Sequence, residues 1–451
     1  MIHLITEIVR LLLIIMIAVY TYDSFKALRS NTSERVANRL YRKQTTIVYL
    51  TVFCSGLVLY LHTNDQRVIA ITAAQSVLFA LAMLIYKQIY EYANKPLINN
   101  MCMLLAISFL ILTRLRIDHA IRQLFMAAAA LLITCVIPLL IEKLKLWKRL
   151  TYFYAVVGIL ALGAVAVLGR ETYGAKINIK LGPVLLQPSE FVKILLVFFI
   201  ACMLYQRTDL HQVVITGIIT AIMILILVAS KDLGSALIFF VTFLVMVYVA
   251  TQRPFYLLAG LSMMAAASVA GYFLFSHVRT RVLAWKDPLA VVNDQGYQIC
   301  QSLFAIGTGG WFGSGLFQGM PQKIPVVTTD FVFSAISEEL GALFALSMIF
   351  ICISNFLMFF NIAMQIRDQF YKLIALGLGT VYGIQVFTTL GGVTKFIPST
   401  GVTLPLVSYG GSSILSTMIL FAIIQGLYKR AFSEGDLHEK RQKRQKKQKR
   451  S

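Results

Sequence analysis

Acidic charge is scarce in this chain. Of 451 residues, 20 are Asp or Glu against 41 Lys or Arg, and only 14% are charged at all. A soluble domain carries about a quarter, so a soluble protein of this length is excluded. Cysteine is sparse too: Cys54, Cys102, Cys135, Cys202, Cys300 and Cys352 include no C-x-x-C and no Cys/His cluster, and five lie in apolar runs as small hydrophobes. Neither a zinc site nor a disulfide framework is indicated. No internal repeat is evident. No series of short segments alternating apolar and polar residues is read, which argues against a β-barrel.

Long apolar runs are abundant instead. Hydrophobic residues make up 58% of the chain. Runs of about 20 recur from end to end, the mark of an all-α polytopic membrane protein. Thirteen spans are read at roughly 4–22, 46–62, 68–86, 99–113, 124–141, 151–169, 189–205, 213–229, 232–250, 255–276, 331–363, 373–392 and 409–428. The first run, 8–22, has no basic start and no A-x-A-like site after it, so it reads as a span rather than a leader.

Lys and Arg crowd loops 23–45 and 142–150 and the C-terminal end, which holds ten of them between Lys429 and Arg450. Basic loops stay cytoplasmic. Thirteen spans satisfy all three assignments, with the N-terminus outside and the C-terminus inside. The long connections 170–188, 277–330 and 393–408 then share the outer face. The tail, 429–451, reads as unfolded and suited to anionic lipid head groups. It has no aromatics and no binding fold, which disfavours nucleic acid.

An ionisable group at membrane depth is a functional-site hypothesis by default, and five acids qualify. Asp330 lies in a stretch, 296–341, read as a long glycine-rich connection that enters a helix at 328–331. Such connections are usually functional or disordered, and this one is too apolar and aromatic for disorder. Tyr297, Trp311 and Phe312 suit an interfacial position. Its glycines, Gly307 to Gly319, lack the Gly-Lys-Ser/Thr of a phosphate loop.

Two readings of Asp330 stand side by side: a helix cap, or a general base at the outer surface. Glu338 and Glu339, two turns further on, suit a structural polar cluster or a substrate path. Glu190 and Lys193 are spaced to pair on one helix face, which eases insertion. Asp232 suits a turn at the membrane surface. Lys395 reads as a head-group anchor. The hydroxyls from Ser408 to Ser413 could line a site, and their small neighbours admit a close helix.

Five segments together resemble the family of shape, elongation, division and sporulation (SEDS) proteins, RodA/FtsW/SpoVE. They are LGPVLLQPSEFVK at 181–193, KDLGSAL at 231–237, GYQICQSLFAIGTGGWFGSGL at 296–316, TTDFVFSAISEELG at 328–341 and FIPSTGVTLPLVSYGGSS at 396–413. The resemblance implies a ten-span core over 99–428 in the cytoplasmic membrane, preceded by about three extra helices in 1–98. It implies a peptidoglycan glycosyltransferase that polymerises lipid II at the outer leaflet beside a class B penicillin-binding transpeptidase. The family's essential outer aspartate falls on Asp330. Glu190, Lys193, Asp232, Glu338 and Glu339 fall on its other motif positions.

Departures are visible. Val326 and Thr328 replace a common Glu and His, Lys231 a common Pro, and Thr389 a common Asn. Lys395 stands where some relatives have a small residue. The implied inverting chemistry needs a base, with Asp330 proposed, and cations for the departing diphosphate. Lys395, Lys323 and Arg281 are candidates in that order; a Mg or Mn ion would serve the same end. A flippase of lipid-linked precursors is the alternative. It calls for a path open to both sides and often for repeated halves, whereas the polar residues here gather on one face.

Overall fold

The structure, a computed structural model, describes residues 2–28, 34–89, 93–143, 145–172, 175–181, 184–294 and 296–448. Fifteen α-helices stand among them. The chain opens with α1 (Ile2–Lys26), α2 (Glu34–Thr63) and α3 (Gln66–Ile89), followed by α4 (Lys95–Leu115), α5 (Ile117–Lys143) and α6 (Thr151–Leu168). Next come α7 (Ser189–Leu204), α8 (Leu210–Ala229), α9 (Leu233–Thr251) and α10 (Pro254–Leu274). After α11 (Ser276–Lys286) and α12 (Tyr297–Gly309) the chain closes with α13 (Val332–Gln365), α14 (Gln369–Val393) and α15 (Gly411–Gln448). Twelve are long and apolar enough to cross a membrane. With α7, whose 16 residues reach about 24 Å at 1.5 Å each, every expected span has its helix.

The central mast is α4. Asn94 caps it by accepting from the Leu97 N–H at 3.2 Å, and Pro96 sits in its first turn. Seventeen of its 21 residues are buried. Polar pins hold neighbours to it: Asn100 accepts from the Tyr20 hydroxyl of α1 at 2.9 Å and donates to Asn355 of α13 at 2.9 Å. By contrast α10 lies at the rim, with Gly260 its one buried residue.

Connections 170–188, 277–330 and 393–408 meet at one end of the bundle. The Lys176 N–H donates to the Ser230 carbonyl at 3.0 Å, and the Gln187 N–H to the Ser412 hydroxyl at 3.0 Å. The Trp285 indole donates to the Lys395 carbonyl at 3.1 Å. At the other end Lys148 pairs with Asp368 at 2.7 Å.

Three expectations need correcting. The first connection holds an antiparallel sheet, β1 (Arg170–Thr172), β2 (Ala175–Leu181) and β3 (Val184–Leu186), in that order. AKINIKL in β2 does alternate apolar and polar residues, but seven residues between long helical runs hid the signal. The stretch 296–341 is not irregular throughout, since its first third is α12. No proline interrupts it, and the Ser302 hydroxyl shares a 2.7 Å hydrogen bond with that of Ser334 on α13. The basic tail is not unfolded: α15 continues to Gln448. Its Lys, Arg and Gln are good helix formers. Loop residues 29–33 and the tail's last three lie outside the described residues.

Candidate active site

Asp330 stands at the end of a run of turns. Pro325 opens it, Val326 takes a positive φ of 53°, and the Thr329 N–H and hydroxyl both donate to the Val326 carbonyl at 3.0 Å. Phe331 occupies the cap position of α13, and no side chain caps that helix. The capping reading of Asp330 therefore fails, and its carboxylate is free for another task. It is half-buried and joins none of the ion pairs among the described residues.

What faces it is a backbone and a guanidinium. A Cβ placed on Gly401 would lie 3.7 Å from Asp330 Oδ2 and 3.8 Å from Arg281 Nη2. Gly401 has φ of 73°, which other residues adopt only under strain. Arg281, on α11, is anchored by donating to the Ser399 carbonyl at 3.1 Å. Burial pushes the Asp330 carboxyl up to about 6, against the pull of Arg281 and the Thr329 hydroxyl. Burial likewise lowers the Arg281 pKa, which Asp330 and Asp232 oppose.

Asp232 belongs to the same site. It caps α9 through the Ser235 N–H at 3.1 Å and accepts the Ser189 hydroxyl at 3.2 Å. The turn expected of it is present, and burial raises its pKa as well. Two residues on, Gly234 leaves no room for a side chain: an added Cβ would meet the Thr400 carbonyl oxygen at 2.8 Å. The start of α9 thus packs on the loop that covers Asp330.

That loop is supported from two sides. The Ser408 hydroxyl accepts from the Leu404 N–H at 2.9 Å and donates to the Thr329 carbonyl at 2.5 Å, while the Tyr409 N–H donates to the Thr328 carbonyl at 2.8 Å. Ser408 therefore fixes the turn bearing Asp330 rather than lining an opening. From beneath, Lys193 donates to Glu190 at 2.6 Å and to Gln385 at 2.7 Å, and Ser416 donates to Glu190 at 2.7 Å. Gln385 passes the support on to the Thr403 carbonyl at 3.1 Å, and Thr389 does so to Val402 at 3.0 Å. The expected helix-face pair is there, inside a network that ends under the loop.

Glu338 and Glu339 stand apart from Asp330. Glu339 holds Arg114 of α4 at 2.8 Å and accepts the Phe317 N–H at 3.2 Å; Glu338 accepts the Met320 N–H at 2.8 Å. Gly341, at φ of 86°, breaks α13 there. The freed groups are satisfied by the loop that leads to Asp330, the Ala342 N–H donating to the Gly310 carbonyl at 2.9 Å. These acids fasten the loop to the broken helix.

Of the expected cations, Lys395 carries a positive φ of 60° and Lys323 is exposed on the 3₁₀ turn Pro321–Lys323. The cation beside Asp330 is Arg281, ranked last from the sequence. Its signal was an arginine in a segment expected on the outer face, SHVRTRVLAWK. Gly401 was missed, because a lone glycine carries no sign of what it faces. Among the described residues no three His, Cys, Asp or Glu side chains gather as a metal site.

Residues 92–431 match the model of the cell cycle protein family of FtsW, RodA and SpoVE. The chain is 40% identical over 295 residues to the peptidoglycan glycosyltransferase RodA of Mycobacterium tuberculosis, a match covering 61% of this chain and 63% of that protein. It therefore spans less than two thirds of the length of the mycobacterial relatives it matches. It is 30% identical over 355 residues to the probable peptidoglycan glycosyltransferase FtsW of Aliivibrio salmonicida, covering 75% of this chain and 87% of that one. A chain from a structure on the coordination of polymerization and crosslinking by a peptidoglycan synthase complex superposes with a TM-score of 0.65 at 27% identity, covering 76% of this chain and 99% of that chain. The rod shape determining protein RodA of Thermus thermophilus gives 0.56 at 25% identity, covering 75% and 97%.

Proposed function

The chain belongs to the FtsW/RodA/SpoVE family, and from that premise we propose that it is a peptidoglycan glycosyltransferase polymerising lipid II at the outer face of the bacterial cytoplasmic membrane. The observation that carries the reading is Asp330: an uncapped, half-buried carboxylate turned toward a guanidinium at the loop-rich end of the bundle. With a pKa lifted to about 6 it is ionised at neutral pH yet a stronger base than an ordinary aspartate.

In the proposed step an Asp330 oxygen takes the proton of the acceptor sugar hydroxyl. The hydroxyl oxygen forms a bond to the anomeric carbon of the donor from the side opposite its diphosphate. The bond from that carbon to the phosphate oxygen breaks, and its electron pair leaves on the lipid diphosphate. Arg281 and the α9 terminus at Asp232 frame the site; the guanidinium opposes the charge that develops on the diphosphate. A bound Mg or Mn ion would be held by the lipid diphosphate and would help stabilise its developing charge.

Glu190, Lys193, Asp232 and Ser408 support the loop that positions Asp330, and Glu338 and Glu339 fasten the outer loop. The partner is a class B penicillin-binding transpeptidase, and the basic C-terminal helix lies against anionic lipid on the cytoplasmic side. Helices of 1–98 precede a core over 99–428. The test supplies labelled lipid II to the purified protein, alone and with its transpeptidase blocked by penicillin. Glycan chains are expected. Labelled lipid crossing a vesicle bilayer without chain synthesis would overturn the reading in favour of a flippase.

A further inference from the structure

The outer loop that leads to Asp330 is gripped by helices lying before the family-matched region. Arg10 of α1 donates to the Gly313 carbonyl at 2.9 Å and is itself paired with Glu7. A Cβ added at Gly315 would come within 3.1 Å of Glu7 Oε1, so loop and helix touch. From α2, the His62 ring stacks on Phe317 with centroids 4.6 Å apart and planes 15° from parallel. Its Nε2 shares a 2.8 Å hydrogen bond with Thr6 of α1, so the two helices act together.

The segment they grip is strained. Gly313, Gly315 and Phe317 all have positive φ, and at Phe317 that conformation is costly for a bulky side chain. It persists only where the surroundings over-determine it. Phe317 also takes the Arg114 guanidinium 4.2 Å from its ring centroid, the same Arg114 that pairs with Glu339. The grip thus runs from α1 and α2, through Phe317, to α4 and the break in α13. The next turns of the loop bring the chain to Asp330.

We propose that the N-terminal helices are a positioning element for the outer loop, with Arg10 and His62 holding residues 313–317 so that Asp330 is set for its task. This rests on the reading of Asp330 given above. Neither residue touches the reacting atoms. Their loss releases the loop, lowers turnover and leaves substrate capture largely intact.

The test uses the full chain and two readouts. Hydrogen exchange of amides 310–320 reads the grip directly, and lipid II polymerisation reads kcat and KM. Arg10→Ala and His62→Ala, which enter from different helices, should each speed exchange there and lower kcat about tenfold with KM near wild type. Arg10→Lys keeps a donor and should recover most of both. Unchanged exchange in both alanine variants would overturn the proposal, as would faster exchange with wild-type kcat. Should the wild type make no chains, the proposed activity falls, while exchange at 310–320 still decides whether the grip exists.

Discussion

Two groups of carboxylates sit within ten residues on one segment and have opposite surroundings. Glu338 and Glu339 are buried, and both serve backbone N–H groups, Glu339 a guanidinium as well. Asp330 accepts no backbone N–H in the cap of its helix, and keeps a partly open face toward Arg281 and Gly401. Buried carboxylates tied to loop amides, and for Glu339 to Arg114, hold structure together. A carboxylate lifted by burial and left without a firm partner is poised to take a proton. What separates these roles is the kind of partner: loop amides and Arg114 for the glutamates, and a guanidinium outside ion-pair distance for Asp330.

The contrast can be broken at either end. Removing the Asp330 carboxylate carries the largest expected effect, about 10²–10⁴ in chain synthesis. The folded protein should not suffer. Asp330 has a raised pKa, so the stability it contributes is present at low pH and lost as pH rises through about 6. Asp330→Asn should therefore melt above wild type at pH 7.5, and the gap should narrow toward pH 4.

Glu339→Ala should do the reverse. It leaves the largely buried Arg114 without its carboxylate, and a broken buried pair costs about 3–5 kcal/mol. Loss of thermal stability should precede any change in turnover per folded molecule, which melting and active-site titration would separate. In the pH profile of kcat/KM, wild type should lose about tenfold per unit below an acid limb near 6. Arg281→Gln should move that limb upward, since the guanidinium holds the pKa down. The mildest change, Gly401→Ala, strains the loop by about 1–2 kcal/mol and brings a methyl against both charges. Chain synthesis should fall about tenfold, and stability should fall by no more than that strain.

The spans were legible because a membrane demands long apolar helices, and a run of that length has no other reading. Asp330, Glu190, Lys193 and Asp232 were legible because a charge in such a run is costly. The rest was hidden for definite reasons. β2 is seven residues among helices of twenty. The gap between Asp330 and the later Gly401 loop is closed only in three dimensions. Ser408 looked like a lining hydroxyl because sequence does not tell which carbonyl it meets. Glu338 and Glu339 stayed open between path and fastening until their partners, Arg114 and the loop amides, were placed.

The most direct test of Asp330 as the base is glycan synthesis from labelled lipid II by wild type and Asp330→Asn, at equal amounts of folded protein and with crosslinking blocked. The account predicts chains from wild type and none from the variant. Chains of similar amount and length from both would contradict it.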